Sequence, residues 1–357
     1  MRYIRFLKPP RVVTVKASSE QEISCLITIT SDLGDSFLPY NIELSAELLS
    51  SGLEEQVLVW RTVQWSAGMR TLTVNLPLVT SRKCSSLRVR VGTEAKVTQD
   101  DYNKLSEDGS CGVASAWSLP LNVSVSNDEA KRLVERRFKL SRGPTVRMFE
   151  ETGESIARHL WDAGIMLSCH LSDLLDDKST LAKALLPSGR PKHFRVLELG
   201  TGCGMVGITM AQLTRGAEIL LTDLPEAQEI VEQNIRLARP AKGSSLRFQN
   251  LNWDVELPPD LQPPSSQLDL VLAADCTYNP DSSPALVKTL TRLAKASPKA
   301  VVAIAMKMRH SSEEIFFSLM STAGFQETLL VSYPLPGDVE AGEEVVDVHV
   351  YQYYPST

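Results

Sequence analysis

The clearest chemical signal in this sequence is a glycine-rich segment with an acidic residue about 20 positions after it. Gly200, Gly202 and Gly204 follow an apolar run, and glycines there let the backbone turn tightly from a strand into a helix and approach a ligand closely. Asp223 ends the next apolar run, where a carboxylate can accept hydrogen bonds from the hydroxyls of a ribose. The combination predicts a binding site for a nucleoside cofactor.

The glycines alone do not identify that cofactor, because Gly202, Gly204 and Gly207 also satisfy the G-x-G-x-x-G pattern of dinucleotide-binding proteins. Glu198, two residues before the first glycine, either lies near the amino-acid end of a cofactor or hydrogen-bonds the loop itself. Trp253, after the third strand, either stacks on an adenine ring or packs in the core, and the surrounding motifs favour stacking.

A second set of reactive side chains follows the fourth strand. Asp275 and Tyr278 are three residues apart, so a turn brings a carboxylate and a phenol to one side. A carboxylate at this position can accept hydrogen bonds from an incoming amine and orient its lone pair. The alternatives for Asp275 are a helix N-cap or an ordinary strand-end residue. Lys307 and Arg309 follow the fifth strand and either face a substrate cleft or form a solvated rim.

Alternating strands and helices position these residues. From residue 150 onward, apolar strand-length runs alternate with helical segments, which is typical of an α/β fold with a parallel sheet. Strands are predicted at Phe194–Leu199, Glu218–Thr222, Leu246–Leu251, Leu268–Ala273, Ala300–Met306, Glu327–Tyr333 and Val345–Tyr354, and helices at Glu154–Leu167, Leu171–Asp177, Val206–Leu213, Glu226–Ala238, Ala285–Lys295 and Ser312–Ala323. Only about a dozen residues separate the last two strands, so they should form an antiparallel hairpin. Five parallel strands and a final hairpin are the layout of seven-stranded methyltransferases, not of a six-stranded dehydrogenase.

The segment from residue 148 to 357 resembles methyltransferase family 16, the seven-β-strand protein-lysine methyltransferases with a D-x-x-Y motif. The resemblance is carried by five strings in order: GESIARHLWDAGI, LELGTGCGMVG, TDLPEA, NLNWD and DLVLAADCTYN. It implies S-adenosylmethionine (SAM) as the methyl donor and a lysine side chain on a folded protein as the acceptor. Chaperones and translation elongation factors are typical acceptors in the family.

The resemblance also implies roles for individual residues. Trp161 would lie beside the cofactor, Asp223 would bind its ribose and Trp253 would flank its adenine. Gly200, Thr201 and Gly202 would line the methionine portion of the cofactor, with Glu198 and Gly204 in the same loop. Ala274 would contact the base or sulfonium region. Asp275 and Tyr278 would be the D-x-x-Y pair that positions the acceptor amine.

Residues 1–126 have the period-two pattern of short strands and predict an all-β, sandwich-like accessory domain that docks or selects substrates. Its predicted strands are Arg11–Val15, Ile23–Thr30, Ile42–Leu48, Val57–Val63, Arg70–Leu76, Ser86–Val91 and Leu119–Val125, and Val97–Ala114 is predicted as a loop. The compact relatives lack this domain. Residues 127–147 predict a basic helical linker, with Leu133, Val134, Phe138 and Leu140 on its apolar face. The methyltransferase domain should occupy residues 148–357.

Charge and cysteine content narrow the function classes. Residues 148–357 contain 17 Lys or Arg and 27 Asp or Glu, so we expect this part to repel nucleic acid and to attract basic protein segments. Six scattered cysteines without a C-x-x-C pair predict neither a metal site nor disulfides. The longest apolar runs are far shorter than a membrane span. We expect a monomer with no membrane or nucleic-acid partner, cytoplasmic, with the nucleus left open.

Three other functions remain compatible with this reading of the residues. A methyltransferase acting on a small, nicotinamide-like amine would use the same cofactor site with a different acceptor pocket. A SAM-binding scaffold without catalysis would use the β domain to hold a partner, although the presence of the complete motif set argues against a loss of catalytic activity. A dehydrogenase is the weakest alternative, because it does not explain the final hairpin.

Overall fold

The computed structural model describes residues 1–15, 20–52, 54–78, 86–107, 109–125, 128–152, 156–176, 178–189, 191–263, 267–337 and 344–355. The chain divides into two compact units. The first comprises Met1–Lys139 and Arg147–His159 with a short piece beginning at Pro336. The second comprises Leu140–Val146, Leu160–Leu335 and the C-terminal segment.

The first unit is almost entirely β-structure, which confirms the all-β character predicted for it. A four-stranded sheet has the order β5-β2-β1-β8, and a second sheet has the order β12-β11-β9-β6-β3-β4, with β10 beside β6 and β7 beside β11. The elements are β1 (Arg2–Thr14), β2 (Gln21–Thr30), β3 (Ile42–Ser50), β4 (Val57–Trp65), β5 (Leu72–Pro77), β6 (Ser86–Gly92), β7 (Asp100–Asp101), α1 (Tyr102–Leu105), β8 (Val113–Ala114), β9 (Ala116–Ser118), β10 (Leu121–Asn122), β11 (Leu133–Lys139) and β12 (Thr145–Glu151). Phe6 and Ile27 from one sheet and Leu48 and Val89 from the other belong to one buried apolar core.

The basic helix predicted within residues 127–147 is wrong. Leu133–Lys139 is strand β11, and both β11 and β12 belong to the second sheet of the first unit, so this segment is not a separate linker. The charged residues predicted to form a solvated helix face are buried: Glu135 and Arg136 are 0% exposed and Arg137 is 5% exposed. They lie in the sheet because ion pairs compensate their charges. Asn127, the residue predicted to cap the start of this helix, lies outside the described residues.

The loop predicted at Val97–Ala114 is also partly wrong, since it contains α1, β7 and β8. Of the strand predicted at Leu119–Val125, only Leu121–Asn122 is paired, whereas β1 extends well before its predicted start at Arg11.

The second unit is an α/β fold built on one seven-stranded sheet of order β15-β14-β13-β16-β17-β19-β18. Its elements are α2 (Asp162–His170), α3 (Thr180–Leu185), β13 (Phe194–Leu199), α4 (Met205–Leu213), β14 (Ala217–Asp223), α5 (Gln228–Leu237), β15 (Ser245–Asn250), β16 (Leu270–Ala274), α6 (Ser283–Ala296), β17 (Val301–Met306), α7 (Ile315–Thr322), β18 (Phe325–Pro334) and β19 (Val345–Tyr353). Strands β13 to β17 are parallel, and β18 and β19 form the predicted antiparallel hairpin. This confirms the predicted seven-stranded methyltransferase layout.

The helices before the sheet differ from the prediction. The helix expected at Glu154–Leu167 is a 3-10 turn at Ile156–Arg158 followed by α2, and its predicted start at Glu154 lies outside the described residues. The next predicted helix is a 3-10 helix at Leu171–Leu175, and its predicted end at Asp177 is likewise outside the described part. Helix α3 was missed.

Strand order places the candidate residues at one edge of the sheet. The order of the strands reverses beside β13: β14 and β15 lie on one side of it, and β16 and β17 lie on the other. In open parallel sheets the crevice at such a reversal, outside the carboxyl ends of the strands, is where ligands bind. Among the described residues, no helix is long and apolar enough to cross a membrane.

Candidate active site

The glycine-rich loop joins β13 to α4 with three glycines in left-handed backbone. Gly200, Gly202 and Gly204 have φ angles of 59°, 54° and 87°, which side-chain-bearing residues rarely adopt. A Cβ atom on Gly200 would lie 2.5 Å from Sγ of Cys276. The loop therefore needs glycine for its backbone conformation and, at Gly200, for its close approach to the segment after β16.

Asp223 ends β14 and faces this loop. Its Oδ2 accepts the N–H of Gly202 at 2.7 Å, and its Oδ1 accepts the N–H of Leu224 at 2.7 Å. Burial raises the pKa of Asp223, and the two N–H donors oppose that change. Each carboxylate oxygen retains a second lone pair beyond these bonds, which is the acceptor capacity that a ribose diol requires.

Glu198 contacts α4, the helix that follows the glycine-rich loop. Its Oε2 accepts the N–H of Gly207 at 2.8 Å, near the N-terminus of α4, and the residue is 2% exposed. Burial raises the pKa of Glu198 to about 8. The contact is the loop-orienting alternative of the sequence analysis. Thr201 is buried and donates its N–H to the carbonyl of Thr222 at 3.0 Å, which ties the loop to β14.

Trp253 lies in the loop after β15 and is half-buried. A Cβ atom on Gly200 would be 3.4 Å from Cζ2 of Trp253, so the indole ring lies against the glycine-rich loop. The carbonyl of Trp253 accepts the hydroxyl of Thr289 in α6 at 3.2 Å. The ring thus lies beside the loop, close to the ends of β13 and β14, and its stacking on an adenine stays a prediction.

Asp275 directly follows β16, whose last residue is the half-buried Ala274. Its Oδ2 accepts the N–H of Ala163 at 2.7 Å, and its Oδ1 accepts Nη1 of Arg309 at 2.8 Å. Asp275 is 8% exposed and has a φ of 54°, the left-handed conformation that Asp tolerates better than most residues. Its carboxylate therefore caps α2, an earlier helix, rather than the helix that follows it.

Tyr278 is 51% exposed, and burial of its less accessible part raises the pKa of its phenol. The phenol therefore remains protonated at neutral pH. Of the D-x-x-Y pair, the structure fixes the carboxylate firmly and leaves the phenol accessible to solvent.

Trp161 immediately precedes α2, and the guanidinium of Arg309 lies over its ring, 5.6 Å from the ring centre. Trp161, Arg309 and Asp275 therefore form one contiguous cluster at the ends of β16 and β17. Sequence reasoning placed Trp161 beside the cofactor but gave it no protein partner.

Lys307 directly follows β17, two residues before Arg309. Its Nζ is 2.9 Å from Oδ2 of Asp162 and 2.9 Å from Oε2 of Glu344, and the residue is 7% exposed. The solvated rim considered for Lys307 and Arg309 is therefore wrong. Asp162 was missed, although an acid in the apolar run after Trp161 had to be buried with a partner.

These residues fit a nucleoside cofactor. The glycine loop provides backbone without side chains, the carboxylate of Asp223 provides hydrogen-bond acceptors, and Trp253 provides an aromatic face, all at the carboxyl ends of β13 to β15. Within the described residues, no group of three or more His, Cys, Asp or Glu side chains has metal-binding geometry.

Sequence comparison decides the class. The profile of a family described as lysine methyltransferase matches residues 140–323, about half of the chain. The chain belongs to this lysine methyltransferase family. The family is described as lysine methyltransferase, and several similar proteins are named protein-lysine N-methyltransferases, so this chain is a SAM-dependent lysine methyltransferase.

The similar proteins differ in how much of this chain they match. The chain is 27% identical over 319 residues to a Schizosaccharomyces pombe protein named UPF0665 family protein C23C4.06c, covering 88% of this chain and 91% of that protein. It is 30% identical over 186 residues to the protein-lysine N-methyltransferase EFM6 of Saccharomyces cerevisiae, covering 49% and 74%. A SAM-dependent methyltransferase structure from Methanosarcina mazei matches half of this chain and all of its own, with a TM-score of 0.37 and 14% identity.

Proposed function

We propose that the crevice beside the glycine-rich loop binds SAM, with Asp223 on the ribose and Trp253 against the adenine. Gly200, Thr201 and Gly202 would line the methionine portion and Trp161 would lie beside the cofactor; Glu198 and Gly204 shape the loop, and Ala274 borders the base or sulfonium region. Bound there, SAM supplies an activated methyl group. The chain's own residues need only hold donor and acceptor in line and exclude water.

The acceptor proposed here is the side-chain amine of a lysine, entering at the end of β16 where Asp275 and Tyr278 lie. Lysine in water has a pKa of about 10.4, so the amine must lose a proton before it can attack. Removal from water lowers that pKa, and an ionised carboxylate at the entry point accepts hydrogen bonds from the amine and turns its lone pair toward the methyl group.

The observation that carries this proposal is the fixed position of the Asp275 carboxylate. Arg309 and Ala163 each donate to one of its oxygens, and the residue is nearly inaccessible to bulk water. A buried, oriented acceptor at a strand end supports a role in placing the substrate.

The test uses purified protein, radiolabelled SAM and an extract of the source organism resolved on a gel, with Asp275→Asn and Asp275→Ala as variants. Asparagine keeps the left-handed backbone and an acceptor for Ala163, but it removes the charge. We expect a discrete labelled protein with the wild type and a loss of transfer of about 100-fold in Asp275→Asn. SAM binding, measured by calorimetry, should stay close to that of the wild type.

Asp275→Ala should lose transfer as well and should also melt at a lower temperature, because α2 loses its cap and the left-handed residue becomes strained. Unchanged labelling in Asp275→Asn would remove the carboxylate from the mechanism. SAM binding without any labelled protein would contradict the proposed acceptor. The monomeric state and the cytoplasmic location expected from the sequence stay predictions.

A further inference from the structure

Arg309 connects two residues of the candidate site that are far apart in the sequence. Its Nη1 is 2.8 Å from Oδ1 of Asp275, and its guanidinium lies 5.6 Å from the centre of the Trp161 ring. A planar guanidinium can donate to a carboxylate at its edge while its face rests on an aromatic ring, whereas an ammonium group lacks that geometry. The arginine therefore fixes the spacing between a carboxylate and an indole.

The backbone of Arg309 is anchored separately from its side chain. One oxygen of the buried Glu313, Oε1, accepts the N–H of Arg309 at 3.1 Å and the N–H of His310 at 3.0 Å. These bonds hold the start of a 3-10 helix at Ser311–Glu314. The guanidinium thus reaches toward Asp275 from a fixed point after β17.

Asp275 depends on its surroundings to keep its conformation. Its N–H donates to the carbonyl of Ala305 at 2.9 Å, and its backbone is left-handed. A residue in that conformation persists where neighbouring contacts hold it. Donors to its carboxylate come from different elements, Ala163 at the start of α2 and Arg309 after β17, so each limits a different movement of the side chain.

Lys307, the other cation after β17, has a different set of partners. It pairs with Asp162 and Glu344, and its carbonyl accepts Nη1 of Arg309 at 3.3 Å. Lys307 therefore neutralises the acid at the start of α2, while Arg309 binds the carboxylate proposed to meet the substrate.

We propose that Arg309 is a positioning residue for methyl transfer, which acts by holding the carboxylate of Asp275 and the ring of Trp161 in one arrangement without contacting the acceptor. This role rests on the function proposed above for Asp275. Since small displacements of reacting groups slow a reaction strongly, loss of the guanidinium should lower kcat far more than it weakens SAM binding.

The experiment compares Arg309→Gln and Arg309→Lys with Arg195→Gln, which removes an arginine paired with Glu218 at the opposite end of β13. In Arg309→Gln we expect kcat to fall about 100-fold, with the Kd for SAM changed less than about tenfold. Arg309→Lys keeps the positive charge but loses the planar guanidinium with its several donors, so its kcat should lie between those of Arg309→Gln and the wild type. Arg195→Gln should keep the wild-type kcat.

A double-mutant cycle separates a role through Asp275 from an independent one. If Arg309 acts through the carboxylate, Arg309→Gln should change kcat by less than about threefold in an Asp275→Asn background. Losses that multiply, or wild-type kcat in Arg309→Gln, would overturn the proposal. If Arg309→Gln does not fold, Arg309→Lys replaces it in the same cycle. Absence of transfer by the wild type itself would instead contradict the proposed acceptor.

Discussion

At the residue scale, two carboxyl groups at the ends of adjacent strands differ in electrostatic environment. Glu198 at the end of β13 is buried and its pKa is raised to about 8, so it is mostly protonated at neutral pH. Asp275 after β16 binds the guanidinium of Arg309. The environment thus makes one acid a mostly protonated group that braces α4 and places the other beside an arginine, and only the second arrangement suits recognition of an amine.

The raised pKa of Glu198 predicts a pH-dependent stability. Above its usual pKa of 4.5 the unfolded chain loses this proton, while the folded chain keeps it up to about pH 8. The protonated glutamate therefore stabilises the fold fully below pH 4.5, and this stabilisation is lost as pH rises toward 8, on the order of a few kcal/mol. Glu198→Gln keeps an acceptor for Gly207 and should gain stability relative to the wild type over this interval.

Thermal melting from pH 5 to pH 8 measures this difference. The same substitution at the exposed Glu229 in α5 is the control and should follow the wild type at each pH. A constant difference between Glu198→Gln and the wild type across the interval would contradict a protonated Glu198.

At the element scale, the site depends on how closely α4 packs on the sheet. Gly207 in α4 has no room for a side chain, since a Cβ atom would lie 2.2 Å from Cδ2 of Leu221 and 2.6 Å from Oε2 of Glu198. Gly164 in α2 has nothing within 4 Å of the corresponding position. The two glycines form a matched pair within helices.

We expect Gly207→Ala to destabilise the protein by about 1–3 kcal/mol, because the helix must move away from β13 and β14. Gly164→Ala should leave stability unchanged or raise it by up to about 1 kcal/mol, since alanine favours the helix. Chemical unfolding measures both values. Equal stability of the two variants would show that α4 adjusts freely, and the glycine loop would then not be held by this contact.

Two kinds of strand show why part of the fold could be predicted from the sequence and part could not. Parallel strands β16 and β17 are continuous apolar runs and β13 and β14 are mostly apolar, and that pattern identified them. Strand β11 has the sequence of a charged segment, and its charges are compensated only by residues distant in the sequence: Arg88 on β6, Glu150 on β12 and Glu55 in the loop before β4. Likewise, the fixed position of Asp275 depends on its contacts with Arg309 and Ala163. The three-residue spacing between Asp275 and Tyr278 in the sequence does not predict either contact.

At the scale of the whole molecule, charge separates the two parts of the sequence. Residues 1–126 contain 13 Lys or Arg and 13 Asp or Glu, whereas residues 148–357 carry ten more acids than bases. An acidic catalytic part attracts a segment that presents a lysine, and salt screens attraction between exposed charges beyond about 8 Å at physiological ionic strength.

Kinetics with the labelled acceptor at increasing salt tests this attraction. We expect the KM for the protein acceptor to rise several-fold between about 0.05 and 0.3 M salt, because the Debye length shortens over that range. A KM that does not change with salt would show that acceptor binding depends on close contacts alone. An equal rise in the KM for SAM would show a general effect of salt on the enzyme.

The position of Arg136 has a consequence for the protein during its synthesis. This buried arginine donates to the carbonyl of Ile4 at 2.8 Å and to the carboxylate of Glu150 at 2.7 Å. A nascent chain emerges from its N-terminus, so β1 leaves the ribosome more than a hundred residues before the arginine that binds it. The first unit therefore completes this charge pairing only after residues of the family-matched region, which begins at residue 140, have been synthesised.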